Sequence, residues 1–166
     1  SHDLVAAAYP EIAPRLVVAP HVLLDDLPPC PRPPRGRRPV VGVLGNIGQQ
    51  KGAAVVSALS RSFAQTGTAD LVLIGNIDPS FALAPQTRVH GSYARRDIPE
   101  LVARYGIGCW LIPSIWPETF SYTTHECIAT GLPVWSFDLG AQGDAVRAAA
   151  ARSGEGGTLP LQAGRP

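Results

Sequence analysis

The sequence predicts a doubly wound, Rossmann-like α/β fold built on a parallel sheet of about six strands. Short continuous apolar runs alternate with stretches in which apolar residues recur at helical spacing. Such runs are typical of strands that are buried on both faces of a parallel sheet, and the intervening helices supply the crossover connections. Hydrophobic residues make up 45% of the chain and charged residues only 16%. This composition favours one globular domain over a disordered segment.

The predicted elements follow one another in a regular order. PVVGVLG is a buried run ending in glycine, and the helix after it also ends at a glycine, Gly67. DIPELVARYG opens on an aspartate cap with a proline near its start, as helices often do. The helix that begins in SYTTHE ends at Gly131. The predicted strands are 39–45, 69–76, 87–93, 108–114, 132–138 and 156–161, and the helices 51–67, 97–106, 121–130 and 143–154.

Residues 1–37 precede this regular pattern. DLVAAAY predicts a short helix, followed after a proline by an extended stretch. The segment PPCPRPPRGRRP at 28–39 is too rich in proline for a helix or a central strand, so we expect a linker or surface loop. A second interpretation is that its arginines contact a phosphate or an anionic lipid surface. We therefore divide the chain into 1–37 and a domain at 38–166, and both ends suggest a piece of a longer protein.

The totals exclude several classes of function. A formal net charge of +1 gives no electrostatic reason to expect nucleic acid as a partner. No apolar run is long enough to span a membrane and no signal peptide opens the chain. Three scattered cysteines, Cys30, Cys109 and Cys127, lack metal-ligand spacing and favour reduced thiols in a cytoplasmic protein.

Folds of this class bind ligands outside the carboxyl ends of their strands. The first such loop reads GNIGQQKG, and we predict that Lys51 begins the helix that follows. A helix amino end beside a lysine favours an anion. Taken alone, the loop fits a plain strand–helix turn with a solvated lysine better than an anion site. Its spacing matches neither the dinucleotide fingerprint nor the P-loop.

The loop and helix at 116–134 carry two acids, Glu118 in the loop and Glu126 one turn inside the helix. A carboxylate can accept hydrogen bonds from two adjacent hydroxyls, and a sugar nucleotide has such pairs on its ribose and on its sugar. Two acids beside a helix amino end would hold both, while amides and Lys51 take the diphosphate. The alternatives are a capping box between Thr123 and Glu126, and an ordinary loop acid at Glu118.

The stretch from Glu118 to Glu126, followed by CIATGLPV, resembles the E-x7-E signature of retaining glycosyltransferases of the GT-B fold, group 1 or family 4. GVLGNIGQQKG, LVLIGN, GSY and WSFDLGAQGDAV resemble other segments of that family in the same order. The resemblance covers about residues 38–150. It implies that the chain is the carboxyl-terminal, donor-binding half of a GT-B architecture.

The resemblance also implies a role for each matching residue. Glu118 would hold the donor sugar and Lys51 would neutralise the diphosphate leaving group, so these two are the catalytic candidates. Glu126 would bind the ribose. No metal or other cofactor is expected, because lysine and helix dipoles replace the cation. The remaining donor-binding candidates lie in the strand-end loops and at the helix entrance: Gly45, Asn46, Ser92, Tyr93, Thr119, Phe120, Ser121 and Tyr122.

This sequence departs from the family at two points. Asn46 stands where the family has an arginine, so Arg95 or Arg96 would have to supply a second cation. The usual Gly-Phe-Gly of the signature is Thr119, Phe120 and Ser121. Of the other aromatic residues, we expect His125 to pack on a helix face and Trp110 and Trp135 to lie in the core. Trp116 is a candidate to line the pocket.

The resemblance implies transfer of a sugar from a nucleotide-sugar donor to a glycan or lipid-linked acceptor in polysaccharide biosynthesis. The acceptor would bind a missing amino-terminal domain, so this chain alone would be inactive. It also allows peripheral association of the full protein with the inner face of the membrane. The alternative is a non-catalytic nucleotide-sugar-binding module. A sugar-nucleotide epimerase has a related fold but normally lacks this acid pair.

Overall fold

A computed structural model describes residues 2–17, 21, 27–34 and 36–161. Its centre is a six-stranded sheet in which every neighbouring pair is parallel, with the strand order β3-β2-β1-β4-β5-β6. This confirms the predicted Rossmann-like sheet. The strands are β1 (Val40–Leu44), β2 (Asp70–Ile74), β3 (Arg88–Gly91), β4 (Cys109–Ile112), β5 (Val134–Phe137) and β6 (Gly157–Leu159).

The described helices connect these strands. They are α1 (His2–Ala8), α2 (Ala53–Thr66), α3 (Ile98–Tyr105), α4 (Tyr122–Ala129) and α5 (Gly140–Ser153), with short 3₁₀ turns at Ala13–Arg15 and Arg95–Asp97. All six strands and α2 to α4 lie inside their predicted ranges. Helix α5 begins at Gly140, three residues before the predicted 143, and this first residue has a left-handed φ of 58°.

Both faces of the sheet are buried at its central strands β1, β2 and β4, which explains the continuous apolar runs in the sequence. Successive side chains of a strand point to opposite faces. Leu44 and Val72 belong to one cluster, shared with α3, α4 and α5, whereas Val43 and Leu71 belong to a second cluster, shared with α2. Each face therefore has its own apolar layer.

The proline-rich segment forms no helix or strand where it is described, as predicted, but it is not simply a surface loop. Leu27 and Cys30 are buried in the cluster beneath α3 to α5. The backbone N–H of Cys30 donates to the carbonyl of Thr130 over 2.8 Å. Arg32 forms a two-contact ion pair with Glu155. Most of the extended stretch predicted before this segment, at 22–26, lies outside the described residues.

The two strand tryptophans differ in burial. Trp110 is fully buried, as predicted, and its Nε1–H donates to Thr130 Oγ1 over 2.9 Å. The prediction for Trp135 is wrong, since 38% of this residue is exposed. Val134 and Ser136 point to the buried face, so Trp135 points to the opposite face, where it borders Gly157 at the thin edge of the sheet. No helix among the described residues is long and apolar enough to cross a membrane.

Candidate functional site

Strand order reverses between β1 and β4, so the loops after these two strands separate and leave a crevice at their carboxyl ends. An open cavity of about 310 Å³ lies there. It is lined by Lys51 from the loop after β1 and by Glu118 from the loop after β4. Its other lining residues are Gln50, Ser114, Trp116, Pro117, Thr119 and Phe120.

Lys51 does not begin the helix, contrary to the sequence prediction. Helix α2 starts at Ala53 with Gly52 as its N-cap, and Lys51 lies in the turn before it. Gly52 has a φ of 85°, and a Cβ placed there would lie 1.9 Å from the carbonyl oxygen of Pro113. This close approach, with the hydrogen bond from Ile115 N–H to Gln50 O at 3.1 Å, joins the two loops and carries Lys51 to the cavity.

A buried glutamine of α5 holds the Glu118 loop. Gln142 is fully buried, its Nε2–H donates to the carbonyl of Trp116 over 2.8 Å, and its Oε1 accepts from the N–H of Glu118 over 3.0 Å. The carbonyl of Glu118 accepts from Ala141 N–H over 2.8 Å. The loop backbone is thus held on both sides of Pro117, and the half-buried Glu118 side chain faces the cavity.

The entrance of α4 carries an aromatic cluster. Phe120 stacks on His125 with ring centroids 4.8 Å apart, and the centroid of the His21 ring lies 4.2 Å from that of Phe120. Tyr122 meets Phe120 edge-on at 4.8 Å. His125 therefore packs, as expected, and burial lowers its pKa. Thr119 is exposed at the cavity and Ser121 is the buried N-cap residue of α4.

Glu126 faces a different neighbour from Glu118. Its Oε1 lies 3.6 Å from Arg95 Nε, and only 14% of its side chain is exposed. Burial raises the pKa of Glu126 and the Arg95 charge partly opposes that rise. The capping-box alternative is wrong, because the N-cap is Ser121 and not Thr123. Glu126 is not among the residues that line the 310 Å³ cavity.

The other candidates lie along the same edge of the sheet. Asn46 is exposed, and its Oδ1 accepts from Asn76 Nδ2 over 3.1 Å across the ends of β1 and β2. Gly45, the preceding residue, is buried. Ser92 is exposed, whereas Tyr93 is half-buried, and both burial and the nearby Glu126 raise its pKa. The candidates thus form two neighbouring groups, one around Lys51 and Glu118 and one around Glu126.

Arg95 and Arg96 are unequal as replacements for the missing arginine at position 46. Arg95 is largely covered and engages Glu126, whereas the Arg96 side chain is 89% exposed beside Asp97. Within the described part of the chain no group of three His, Cys, Asp or Glu side chains is placed to hold a metal ion. Independence from metal stays a prediction.

Removing the Arg95 charge will change how stability depends on pH. Because burial raises the pKa of Glu126, the folded chain keeps this proton at a pH where the unfolded chain has lost it. Stability therefore falls as pH rises from the unfolded value of about 4.3 towards the folded value. We expect Arg95→Gln to raise the pKa further, so that this fall becomes larger and extends to higher pH. Urea unfolding over a pH series measures it.

Arg96→Gln is the matched control for this experiment, since it removes the adjacent charge from an exposed side chain. Its pH profile should follow that of the unsubstituted chain. An Arg95→Gln profile parallel to the control would show that Arg95 does not act on the Glu126 carboxyl.

Sequence reasoning missed Gln142. A glutamine in a helix carries no motif, and nothing in the sequence indicates that residue 142 reaches back to a loop 26 positions earlier. Trp116, which its loop position makes a candidate, does line the cavity, and 57% of the residue is exposed.

No protein-family model and no curated protein sequence matches this chain. Its fold does match solved structures. The alignment with a chain of a GtfA/B complex has 20% identity and a TM-score of 0.55, and covers 85% of this chain and 28% of that one. The alignment with S. aureus TarM, in a complex with fondaparinux, alpha-GlcNAc-glycerol and UDP, has 12% identity and a TM-score of 0.53, and covers 95% and 33%.

A third match is the C-terminal domain of a glycosyl transferase group 1 family protein, LpcC, from Francisella tularensis. It has 19% identity and a TM-score of 0.47 over 66% of this chain and 69% of that domain. At these identities, the alignments with the GtfA/B complex and TarM establish a shared fold. This chain spans about a third or less of the length of those two proteins.

Proposed function

We propose that this chain is the donor-binding domain of a retaining glycosyltransferase and that the crevice between the loops after β1 and β4 binds a nucleotide sugar. The observation that carries the proposal is the convergence of Lys51 and Glu118 on one cavity from two separate loops. A cation and a carboxylate at one strand-end crevice suit a ligand with both a diphosphate and vicinal hydroxyls. TarM, which shares the fold, binds UDP in its crystal.

In this proposal each residue acts through its ordinary chemistry. Lys51 pairs with the diphosphate and offsets the charge that develops on the leaving group. Glu118 accepts hydrogen bonds from the sugar hydroxyls, and Gln142 fixes the loop that carries it. Glu126, held by Arg95, binds the ribose hydroxyls. Backbone N–H groups from Thr119 to Tyr122 contribute to the phosphate site.

The wider assignment follows from the family resemblance. Membership of family 4, a glycan or lipid-linked acceptor, a role in polysaccharide biosynthesis and peripheral association with the membrane belong to the same proposal. The acceptor would bind a separate domain that closes the other side of the crevice. Sugar transfer would then require both domains, whereas donor binding can be measured on this chain.

A non-catalytic nucleotide-sugar-binding module is the second candidate. Lys51 is the one cation among the described residues that line the cavity. Asn46, at the position of the family's arginine, is instead engaged with Asn76. A single positive charge can hold a bound diphosphate. It stabilises less well the negative charge that develops on the leaving group during transfer.

The composition of the chain allows a direct test, because Lys51 is its only lysine. An amine-reactive reagent will therefore label Lys51 and the amino terminus alone. We expect UDP-, GDP- or ADP-sugar to protect Lys51, but not the amino terminus, from labelling, as read by mass spectrometry. Calorimetry should give micromolar to millimolar affinity, weakened about tenfold or more by Lys51→Ala or Glu118→Gln.

Arg61→Gln is the control, because it removes one exposed charge from α2 away from the crevice. Absence of binding to all three sugar nucleotides would overturn the proposed function. Binding without transfer, when the chain is supplied within its full-length protein, would favour the non-catalytic module.

A further inference from the structure

A second and larger cavity, of about 600 Å³, lies at the opposite end of the sheet from the crevice. It is bordered by the first residues of three neighbouring strands, Val40, Asp70 and Arg88, and by the carboxyl end of α3. The strands are up to five residues long, so about 15 Å of sheet separates it from the crevice. Its volume is in the range of small-molecule sites.

Five arginines and a single acid line this cavity: Arg32, Arg37, Arg38, Arg88, Arg104 and Asp70. Two of the arginines are already paired, Arg38 with Asp70 at 3.2 Å and Arg32 with Glu155. The other three have no carboxylate partner among the described residues. In the described part of the chain, the cavity therefore carries three positive charges that no carboxylate pairs with.

The carboxyl end of α3 opposes these charges only weakly. A helix end carries roughly half a negative charge. The carbonyl of Val102 accepts from the N–H of Ile107 over 3.0 Å, and Gly106 N–H also bonds the last turn. Three guanidinium groups against one capped helix end leave a strongly positive cavity.

Much of the wall is fixed before any ligand binds. Prolines line one side, and Pro33 packs so closely on the sheet that a Cβ at Gly108 would lie 3.2 Å from its Cγ. Cys30 anchors the same segment to Thr130. On the other side the Arg88 guanidinium lies 5.9 Å above the Tyr105 ring, whose hydroxyl is 2.9 Å from His90 Nδ1. A preformed wall lowers the entropic cost of binding.

We infer that this cavity binds a small molecule bearing two or more phosphate groups. Guanidinium groups match phosphate oxygens through paired N–H donors, and three of them around one cavity favour a multiply charged anion over a monoanion. A lipid headgroup offers the same phosphate chemistry. However, none of the exposed large apolar side chains of the described residues lines the cavity, and we therefore favour a freely diffusing ligand over a lipid headgroup.

The test is calorimetric titration of the chain with inorganic tripolyphosphate at low ionic strength. We expect saturable binding that weakens about tenfold or more in Arg37→Gln/Arg104→Gln, because two charge-assisted contacts are lost. The control Arg61→Gln/Arg152→Gln removes the same net charge from exposed side chains outside the cavity and should bind as before. A separate titration with phosphatidylglycerol vesicles tests whether the cavity binds a lipid headgroup.

Tripolyphosphate can also bind in the crevice, where the proposed function places a diphosphate beside Lys51. Both double variants are therefore made and titrated in a Lys51→Ala chain, which lacks the cation of the crevice. Equal weakening in both double variants, loss of binding in Lys51→Ala, or binding to vesicles alone would each overturn the inference. Its outcome is independent of the proposed function, because sugar-nucleotide binding and Lys51 protection are measured at the other end of the sheet.

Discussion

Replacing Gly52 by alanine will destabilise the chain by about 3 kcal/mol or more and lower its melting temperature by roughly 6–12 °C. Two costs add at this position. The left-handed φ of 85° is strained for any residue with a Cβ, and that Cβ would lie 1.9 Å from the carbonyl oxygen of Pro113. The obstacle is backbone, so the loops after β1 and β4 must separate to make room.

Gly48→Ala is a matched control in the same loop. Gly48 has no left-handed φ, and a Cβ there would meet nothing within 4 Å. We expect it to leave the melting temperature almost unchanged. Because Gly52 adjoins Lys51, the Gly52→Ala chain should also lose protection of Lys51 by sugar nucleotides at temperatures where it remains folded. A small change in stability, equal in the two variants, would refute the close contact between the loops.

The sheet was predictable because its signal is local. The central strands are apolar runs such as VVGVL or DLVLI, and alternation with helices leaves few topologies for a parallel sheet. Trp135 shows where this reasoning fails. Its strand is as apolar as the others, but its burial depends on whether a helix covers that face of the sheet, which a run of five or six residues does not encode.

The candidate site was predictable in part for the same reason. Strand ends locate Lys51 and Glu118 at the edge where β1 and β4 separate, and the structure brings both to one cavity. The neighbours of Glu126 were not predictable from spacing. Helical periodicity places Glu126 one turn into α4, but only tertiary packing decides that its carboxylate meets Arg95 and not the N-cap.

Gln142 is the residue of the candidate site that the sequence least predicts, and the substitution Gln142→Leu tests its role. Leucine fills similar space but neither donates to the Trp116 carbonyl nor accepts from the Glu118 N–H. We expect a loss of about 2 kcal/mol in the free energy of unfolding, measured in urea, because two backbone groups lose their partners. Loosening the loop should also weaken sugar-nucleotide binding about tenfold, since Glu118 is no longer held at the cavity.

Gln65→Leu makes the same chemical change on the exposed surface of α2 and should alter neither quantity. The two measurements on Gln142→Leu separate its roles. A fall in stability with unchanged affinity would make Gln142 a residue of the core alone. A fall in both, with Lys51 still labelled at the normal rate in the free chain, is the result expected if Gln142 positions Glu118, because Lys51 lies on the other loop and does not depend on this glutamine.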